Sequence, residues 1–342
     1  EEQGDTILRA STGLVQLYDP ATATVDVIGY MSDARGGHIS LLLPDGRVLI
    51  AGGSSEARFL FVDGRYRSIG VDPASLVRSA EVFDPETGKS VIIGADDAMA
   101  RFLPASAPLD DKNILMLGGR ANLLRTDELV LFSLEDSTWN WQKLERHLAA
   151  ARNYVRVARI PSGMVVVGGN GQQSPAVEFM EYFLTESVPV QLGASAGTIG
   201  HSLDVVHESM MVWAGGMAGA GGQPPVETVV IMQPGDGLQP VEMAGQFTLD
   251  AARAFHASWP IREGEAILVA GGIGKDGALL DSIEILEPDQ LRSTLLQGQE
   301  LQCGSLGLAG AATADGSIVL AGGLKVLDSG PVISSTVQIF SP

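Results

Sequence analysis

Residues 37–53 read GHISLLLPDGRVLIAGG: an alternating apolar run, a Pro-Asp-Gly turn, a continuous apolar run and a glycine pair. Alternation predicts a strand with one covered face, and the unbroken run predicts a strand buried on both faces. Pro-Asp-Gly between them predicts a tight hairpin. The pattern recurs. NILMLGG ends at Gly119, MVVVGG at Gly169, MMVWAGG at Gly216, AILVAGG at Gly272 and SIVLAGG at Gly323. Each glycine pair is expected to serve close backbone approach or unusual dihedrals where the chain leaves the buried strand.

A loop and a third β-type run follow each pair: SAEVFD (79–84), DELVLFS (127–133), AVEFMEYF (176–183), ETVVIM (227–232), SIEILE (282–287) and STVQIF (335–340). A shorter fourth run comes next, as in SVII (90–93) and TWNWQKL (138–144). Val, Ile, Leu and aromatic residues punctuated by Gly, Pro, Asp and Asn are the grammar of strands and turns, and long helical periodicity is absent. Four strands per repeat, at a period of roughly 50 residues, point to blades of a propeller.

On these six Gly-Gly repeats the chain resembles the kelch-repeat β-propellers of bacterial type, over residues 14–342. The resemblance implies an all-β fold, a single kelch β-propeller domain over 1–342, with six four-stranded blades. LVQLYD (14–19) and TVDVIG (24–29) resemble third and fourth strands, so the N-terminus is expected to complete the last blade and remove free edges. One run is then left over, because LVQLYD and STVQIF both read as third strands. A regular Tyr and Trp in each repeat, common in kelch sequences, is missing.

Composition narrows the function classes. A net charge of −19 opposes nucleic acid and anionic membrane surfaces, so no nucleic-acid partner is expected. No apolar stretch reaches the roughly 20 residues of a membrane-spanning helix. The single cysteine, Cys303, excludes an intramolecular disulfide. The opening Glu-Glu-Gln-Gly lacks Met and a basic-then-apolar leader, which leads us to expect an exported protein, secreted, periplasmic or on the cell surface, with room for a lipid anchor outside this chain. A cytoplasmic fragment of a larger protein is the alternative.

Antiparallel alternation sorts the loops onto two faces. Short turns such as LPDGR (43–47) and ADGS (314–317) fall on one; the longer loops 54–78, 120–126, 170–175, 217–226, 273–281 and 324–334 fall on the other, where binding is expected. Just before the innermost strand on that face stand Arg35, Arg101, Arg152 and Arg253, with Thr198 at the same place in another repeat. His38, His201 and His256 follow three residues later. Four arginines around a channel mouth suit carboxylates, phosphates or sulfates. Their recurrence is itself a sign of a structural role, since inner-strand arginines in kelch proteins stitch adjacent blades by bonding loop carbonyls. The insertion 54–78, with Arg65, Tyr66 and Arg67, reads either as a lid or partner-binding arm or as a hairpin packed on the rim.

Tests for chemistry give little. No CxxC, HExxH, EF-hand or phosphate-loop motif is present, no catalytic or metal-binding set is identified, and no cofactor is expected. The leading reading is a non-enzymatic propeller that binds a protein or an anionic small molecule through Arg35, His38, Arg101, Arg152, His201, Arg253, His256 and the Arg65–Arg67 loop. The first alternative is an enzyme acting on an anionic sugar, similar to kelch-type sialic acid mutarotases, with Arg101, Arg152, His38 and His256 at its mouth. The second is a copper oxidase of the galactose oxidase type, for which Tyr18, Tyr30, Tyr66, Tyr154, Tyr182, five histidines and Cys303 supply elements but no local pattern.

Overall fold

The computed structural model describes residues 5–122, 124–169, 176–182, 187–193, 196–218, 223–235, 239–327 and 330–341. The expected loop 170–175 therefore lies outside the described residues, as does part of 217–226. Within them the chain is all-β, its helical turns being short 3-10 segments only. No helix among the described residues is long and apolar enough to cross a membrane.

Each glycine pair closes the second strand of one antiparallel sheet. Sheet one comprises Gly36–Leu42, Val48–Ser54, Ser79–Asp84 and Lys89–Ala95, hydrogen-bonded in that order. Sheet two has Ala105–Pro108, Asn113–Leu117, Leu124–Glu135 and Thr138–Arg152, and sheet three Arg156–Ile160, Gly163–Val167, Val177–Glu181 and Val188–Val190. Sheet four has Ser202–Val206, Met210–Ala214, Thr228–Pro234 and Val241–Thr248; sheet five has Ala257–Ile261, Ala266–Ala270, Ile283–Glu287 and Arg292–Leu295. Sheet six has three strands: Ala309–Ala312, Ile318–Ala321 and Val337–Phe340.

Second strands carry the core, as their unbroken apolar runs require. Gly163–Val167 and Ala266–Ala270 are buried at every position. Apolar clusters form between successive sheets: Leu49 and Ala51 of sheet one pack with Ile114, Met116 and Phe132 of sheet two, and Val165 and Val167 of sheet three pack with Met211, Trp213 and Met232 of sheet four. First strands of consecutive sheets contact one another from sheet one through sheet six. The series curves, because residues of sheets one, two, five and six border a single cavity.

Every glycine of the six pairs has positive φ, from +61° at Gly118 and Gly215 to +100° at Gly119. That left-handed exit turns the second glycine's N–H toward the next sheet. Gly53 donates to the Arg101 carbonyl at 2.6 Å, Gly119 to Arg152 at 2.8 Å, Gly169 to Thr198 at 2.6 Å, Gly216 to Arg253 at 2.8 Å and Gly272 to Ser305 at 2.7 Å. Five seams are stitched this way.

The expectation about the N-terminus comes out differently. Among the described residues the hairpin Leu14–Asp19 with Thr24–Tyr30 pairs only with itself, and adds no strand to sheet six, whose third strand is Val337–Phe340. It packs instead beside sheet one, where Gly29 meets Gly88 and Phe83. The insertion 54–78 supplies Glu56–Val62 and Arg65–Gly70, and Asp5–Ala10 joins them as a third strand.

Candidate functional site: a lidded cavity

The recurring arginines do not face a mouth. Arg35, Arg101, Arg152 and Arg253 have fully buried side chains, each bound within its own sheet. Arg35 donates to the Gly52 and Ser79 carbonyls, at 3.1 and 2.8 Å, and to Glu81 at 2.7 Å. Arg253 donates to the Gly271 and Ser282 carbonyls, at 2.8 and 3.1 Å, and pairs with Glu284. Arg152 bonds the Gly168 carbonyl at 2.7 Å and Glu178 through Nε at 2.6 Å. A buried cation needs such a shell of partners, which for Arg253 covers the two terminal nitrogens and leaves Nε without one among the described residues. This geometry supports the structural reading of these residues, as internal knots: each side chain ties its own sheet, and the backbone carbonyls of Arg101, Arg152 and Arg253 take the preceding glycine N–H.

The carboxylate partner is itself saturated. Glu178 accepts from the Ala149 and Ala150 N–H groups, at 2.8 and 3.2 Å, and from the Ser187 hydroxyl at 2.8 Å. Glu284 repeats this with Asp250, Ala251 and Ser293, at 2.7, 3.1 and 2.7 Å. Glu81 receives Ser32 N–H at 2.6 Å and the Ser90 hydroxyl. In sheet two the match is poorer: Arg101 reaches the partly exposed Glu128 at 3.3 Å, and burial lowers its pKa to about 10. Sheet four has Val230 at the glutamate's place and Thr198 at the arginine's. There the Trp213 indole donates to the Gly197 carbonyl at 2.9 Å.

The histidines are also interior. His201 packs its ring on Gly168 and edge-on to Trp213, with ring centroids 5.9 Å apart. His256 packs on Gly215. Among the described residues neither ring has a hydrogen-bond partner of good geometry at either nitrogen, and Nδ1 of the half-buried His38 has none. Burial pushes the His201 pKa down to about 3, with the Arg156 charge adding to it, and depresses His256 and His38 in the same direction. All three are neutral imidazoles at pH 7. Close by, burial raises Asp204 to about 6. Arg156 is itself exposed to solvent.

The insertion is the part of the expected site that stays accessible. Asp5–Ala10, Glu56–Val62 and Arg65–Gly70 form a three-stranded sheet that crosses from sheet one to sheet five. Its inner face buries Phe61 and Tyr66 against Ala254, Ile273, Leu306 and Leu324. Tyr66 stands edge-on to Phe61 and Phe255, at 5.9 and 5.8 Å, and Phe255 is edge-on to Tyr154 at 5.6 Å. That burial raises the Tyr66 pKa, so its phenol stays protonated. The far end is latched: Tyr66 N–H donates to the Gly277 carbonyl at 2.9 Å and Arg65 pairs with Asp276 at 2.6 Å. Arg67 is exposed. Arg9, on the edge strand, donates to the Pro331 carbonyl at 2.8 Å, tying this lid to the hairpin Leu324–Leu327 with Gly330–Ile333.

Beneath the lid lies a cavity of about 540 Å³, walled chiefly by Phe59, Tyr66, Ile69, Phe102, Leu103 and Phe255, with Arg9, Ser11 and Thr12 at one side. A backbone device shapes it. Two residues after the arginine position, each repeat turns through positive φ: Gly37 (+66°), Leu103 (+52°), Tyr154 (+52°), Gly200 (+69°), Phe255 (+55°) and Gly307 (+71°). Leu103, Tyr154 and Phe255 hold that conformation without being glycine, which costs energy and is found where geometry serves function. At Gly37 and Gly200 a side chain would collide with Phe102 and Phe255, whereas Gly307 faces open space.

Sequence reasoning found the insertion but missed Arg9, Phe102 and Phe255, because nothing local joins them. The elements weighed for copper are dispersed. Tyr18 and Tyr30 lie in the N-terminal hairpin, Tyr182 donates to the Ile160 carbonyl at 2.9 Å, and Cys303 is half-buried beside Ser305. Among the described residues no three His, Cys, Asp or Glu side chains gather as metal ligands. Compared with family models and with curated proteins, the chain finds no match.

Proposed function

We propose that the six sheets are blades of a kelch-type β-propeller and that the chain is a binding module, its ligand held under the lid. The carrying observation is the 540 Å³ cavity, apolar over most of its wall and bordered by two arginines, of which Arg35 is paired with Glu81 and Arg9 has no carboxylate partner among the described residues. A cavity of this size suits a small molecule rather than a protein domain. Its chemistry selects an amphiphilic anion: an apolar body against Phe59, Tyr66 and Phe255, and an acidic group toward Arg9. A guanidinium at the rim keeps most of its donors for such a group after bonding Pro331. The mouth arginines that an anionic-sugar enzyme would need are committed to internal glutamates, which favours the binding reading over that alternative.

Calorimetric titration with octanoate, 1-octanol and acetate tests this. Octanoate should bind, octanol more weakly and acetate not measurably. Arg9→Gln should weaken octanoate about tenfold, the loss of roughly one charge-assisted hydrogen bond, and Phe59→Asp should abolish it. Octanoate binding that ignores both substitutions, or no binding at all, would sink the proposal.

A further inference from the structure

The N-terminal hairpin is one half of something. VQLYDPATATVDVIG (15–29) aligns without a gap on AEVFDPETGKSVIIG (80–94), the third and fourth strands of sheet one. The backbones agree as closely as the sequences. Val15 pairs with Gly29 and Gln16 with Val27 across a bulge; Ala80 pairs with Gly94 and Glu81 with Ile92 across the same bulge. Both turns begin with an aspartate accepting an N–H two residues on, Ala21 to Asp19 at 2.8 Å and Glu86 to Asp84 at 2.9 Å. Both end at a positive-φ residue, Ala23 and Gly88. The hairpin is thus a third and fourth strand without a first and second.

Beside it, sheet six is uncovered. Its first strand, Ala309–Ala312, is exposed at every position. Its second strand alternates buried and half-buried, where those of sheets three and five are buried throughout. Ile339 on the third strand is 49% exposed, and among the described residues no fourth strand pairs with it. Across the gap, Leu42 of sheet one is 73% exposed. The glycine stitch also stops here: Gly323 makes no bond to the Arg35 carbonyl, and a Cβ on Gly322 would meet nothing within 4 Å. The first glycines of the other five pairs each meet the following repeat within 3.0 Å. A second cavity of about 470 Å³ separates Tyr18 and Val25 of the hairpin from Val337 and Ile339.

We infer that the seam between sheets six and one is the place of a seventh sheet, and that its occupant is repeat sequence running on from Val337–Phe340. In the order of the repeat, such a stretch supplies a fourth strand to sheet six and then a first and second strand beside Leu14–Asp19. The inner pair would cover Ala309–Ala312, Val319 and Leu42, and its own glycine pair would donate to Arg35. The seam needs an apolar two-strand hairpin ending in Gly-Gly because each stitched seam has one on both sides. The lidded cavity would gain a wall at Gly323 and keep its aromatic side. The inference rests on the uncovered faces and not on the ligand proposed above.

The test appends to Pro342 a copy of residues 86–119, the stretch that runs from the turn after the third strand of sheet one to the glycine pair of sheet two. Leu42→Cys, in a Cys303→Ser background, reports the seam by maleimide labelling, with the buried Leu43→Cys as reference. In the original chain Leu42→Cys should label at an exposed rate; in the extended chain the rate should fall at least about tenfold, since labelling then requires local opening. The appended stretch should resist protease and raise the melting temperature, and a copy carrying Ile→Pro and Met→Pro at the positions of Ile114 and Met116 should do neither. Slow labelling of Leu42→Cys in the original chain, matching Leu43→Cys, would show a closed seam and overturn the inference. So would an extension that is digested while labelling and melting stay unchanged.

Discussion

Arg253 sits without solvent contact in an apolar interior, and three of its hydrogen-bond partners are fixed by the backbone or by Glu284. Removing one member of a buried ion pair strands the other, so Arg253→Met should destabilise the chain by about 3–5 kcal/mol. Arg101→Met should cost less, because Glu128 is partly exposed and keeps Lys143 as a second cation. Denaturant unfolding of the two variants checks the order. The arginine recurrence and its structural reading were legible in the sequence; the carboxylate partner was not, because it lies some 26 to 46 residues on, as in Arg152–Glu178 and Arg35–Glu81. A signal existed: Glu81, Glu178 and Glu284 each stand nine residues before a serine, Ser90, Ser187 and Ser293, that caps them. Pairing the two recurrences would have marked the arginines as internal.

The histidines give a pH dependence of definite sign. His201 is held near 3 against an ordinary 6.5, and His256 is depressed with it. Below pH 6.5 the unfolded chain takes up protons that the folded chain refuses, so stability falls as pH drops from 6.5 toward 4, by about 1.4 kcal/mol per pH unit for each such group. Asp204, raised from 3.8 to about 6, works the other way, favouring the fold below pH 4 and losing that contribution as pH rises to 6. Two imidazoles outweigh one carboxyl. The melting temperature should fall between pH 6.5 and 5, and His201→Phe, which keeps a ring on Gly168, should flatten that fall.

At the scale of elements, the strands were largely legible because burial on both faces leaves an unbroken apolar run and turns demand Gly, Pro, Asp or Asn. SAEVFD was expected at 79–84 and is the strand Ser79–Asp84. The insertion was legible as a basic, aromatic hairpin with its role open between lid and rim. Its third strand was not, since Asp5–Ala10 joins from far away in sequence, with Leu8 opposite Arg58. The lid is fastened by Tyr66 and the Arg65–Asp276 pair, the latter exposed and worth little alone. Tyr66→Ala should therefore loosen it. Hydrogen exchange should quicken at residues 56–70 and leave the second strands, such as Ala266–Ala270, unchanged.

At the scale of the whole molecule, six Gly-Gly pairs announced six successive sheets, and the described structure has them. Closure was the part that sequence pattern could not decide. Two runs read as third strands, and only the packing shows that Val337–Phe340 belongs to sheet six while Leu14–Asp19 stands apart. Periodicity reports what one strand buries, whereas closure depends on which faces meet. The function argued above rests on one such meeting, of the lid with the bends of sheets two, five and six over a cavity of about 540 Å³. Hydrogen exchange of the complete chain with and without octanoate tests it most directly. The account predicts slower exchange at residues 9–12, 57–69 and 306–307 when octanoate is present, with the outer strands unaffected. Unchanged exchange in those segments, or protection confined to other surfaces, would contradict it.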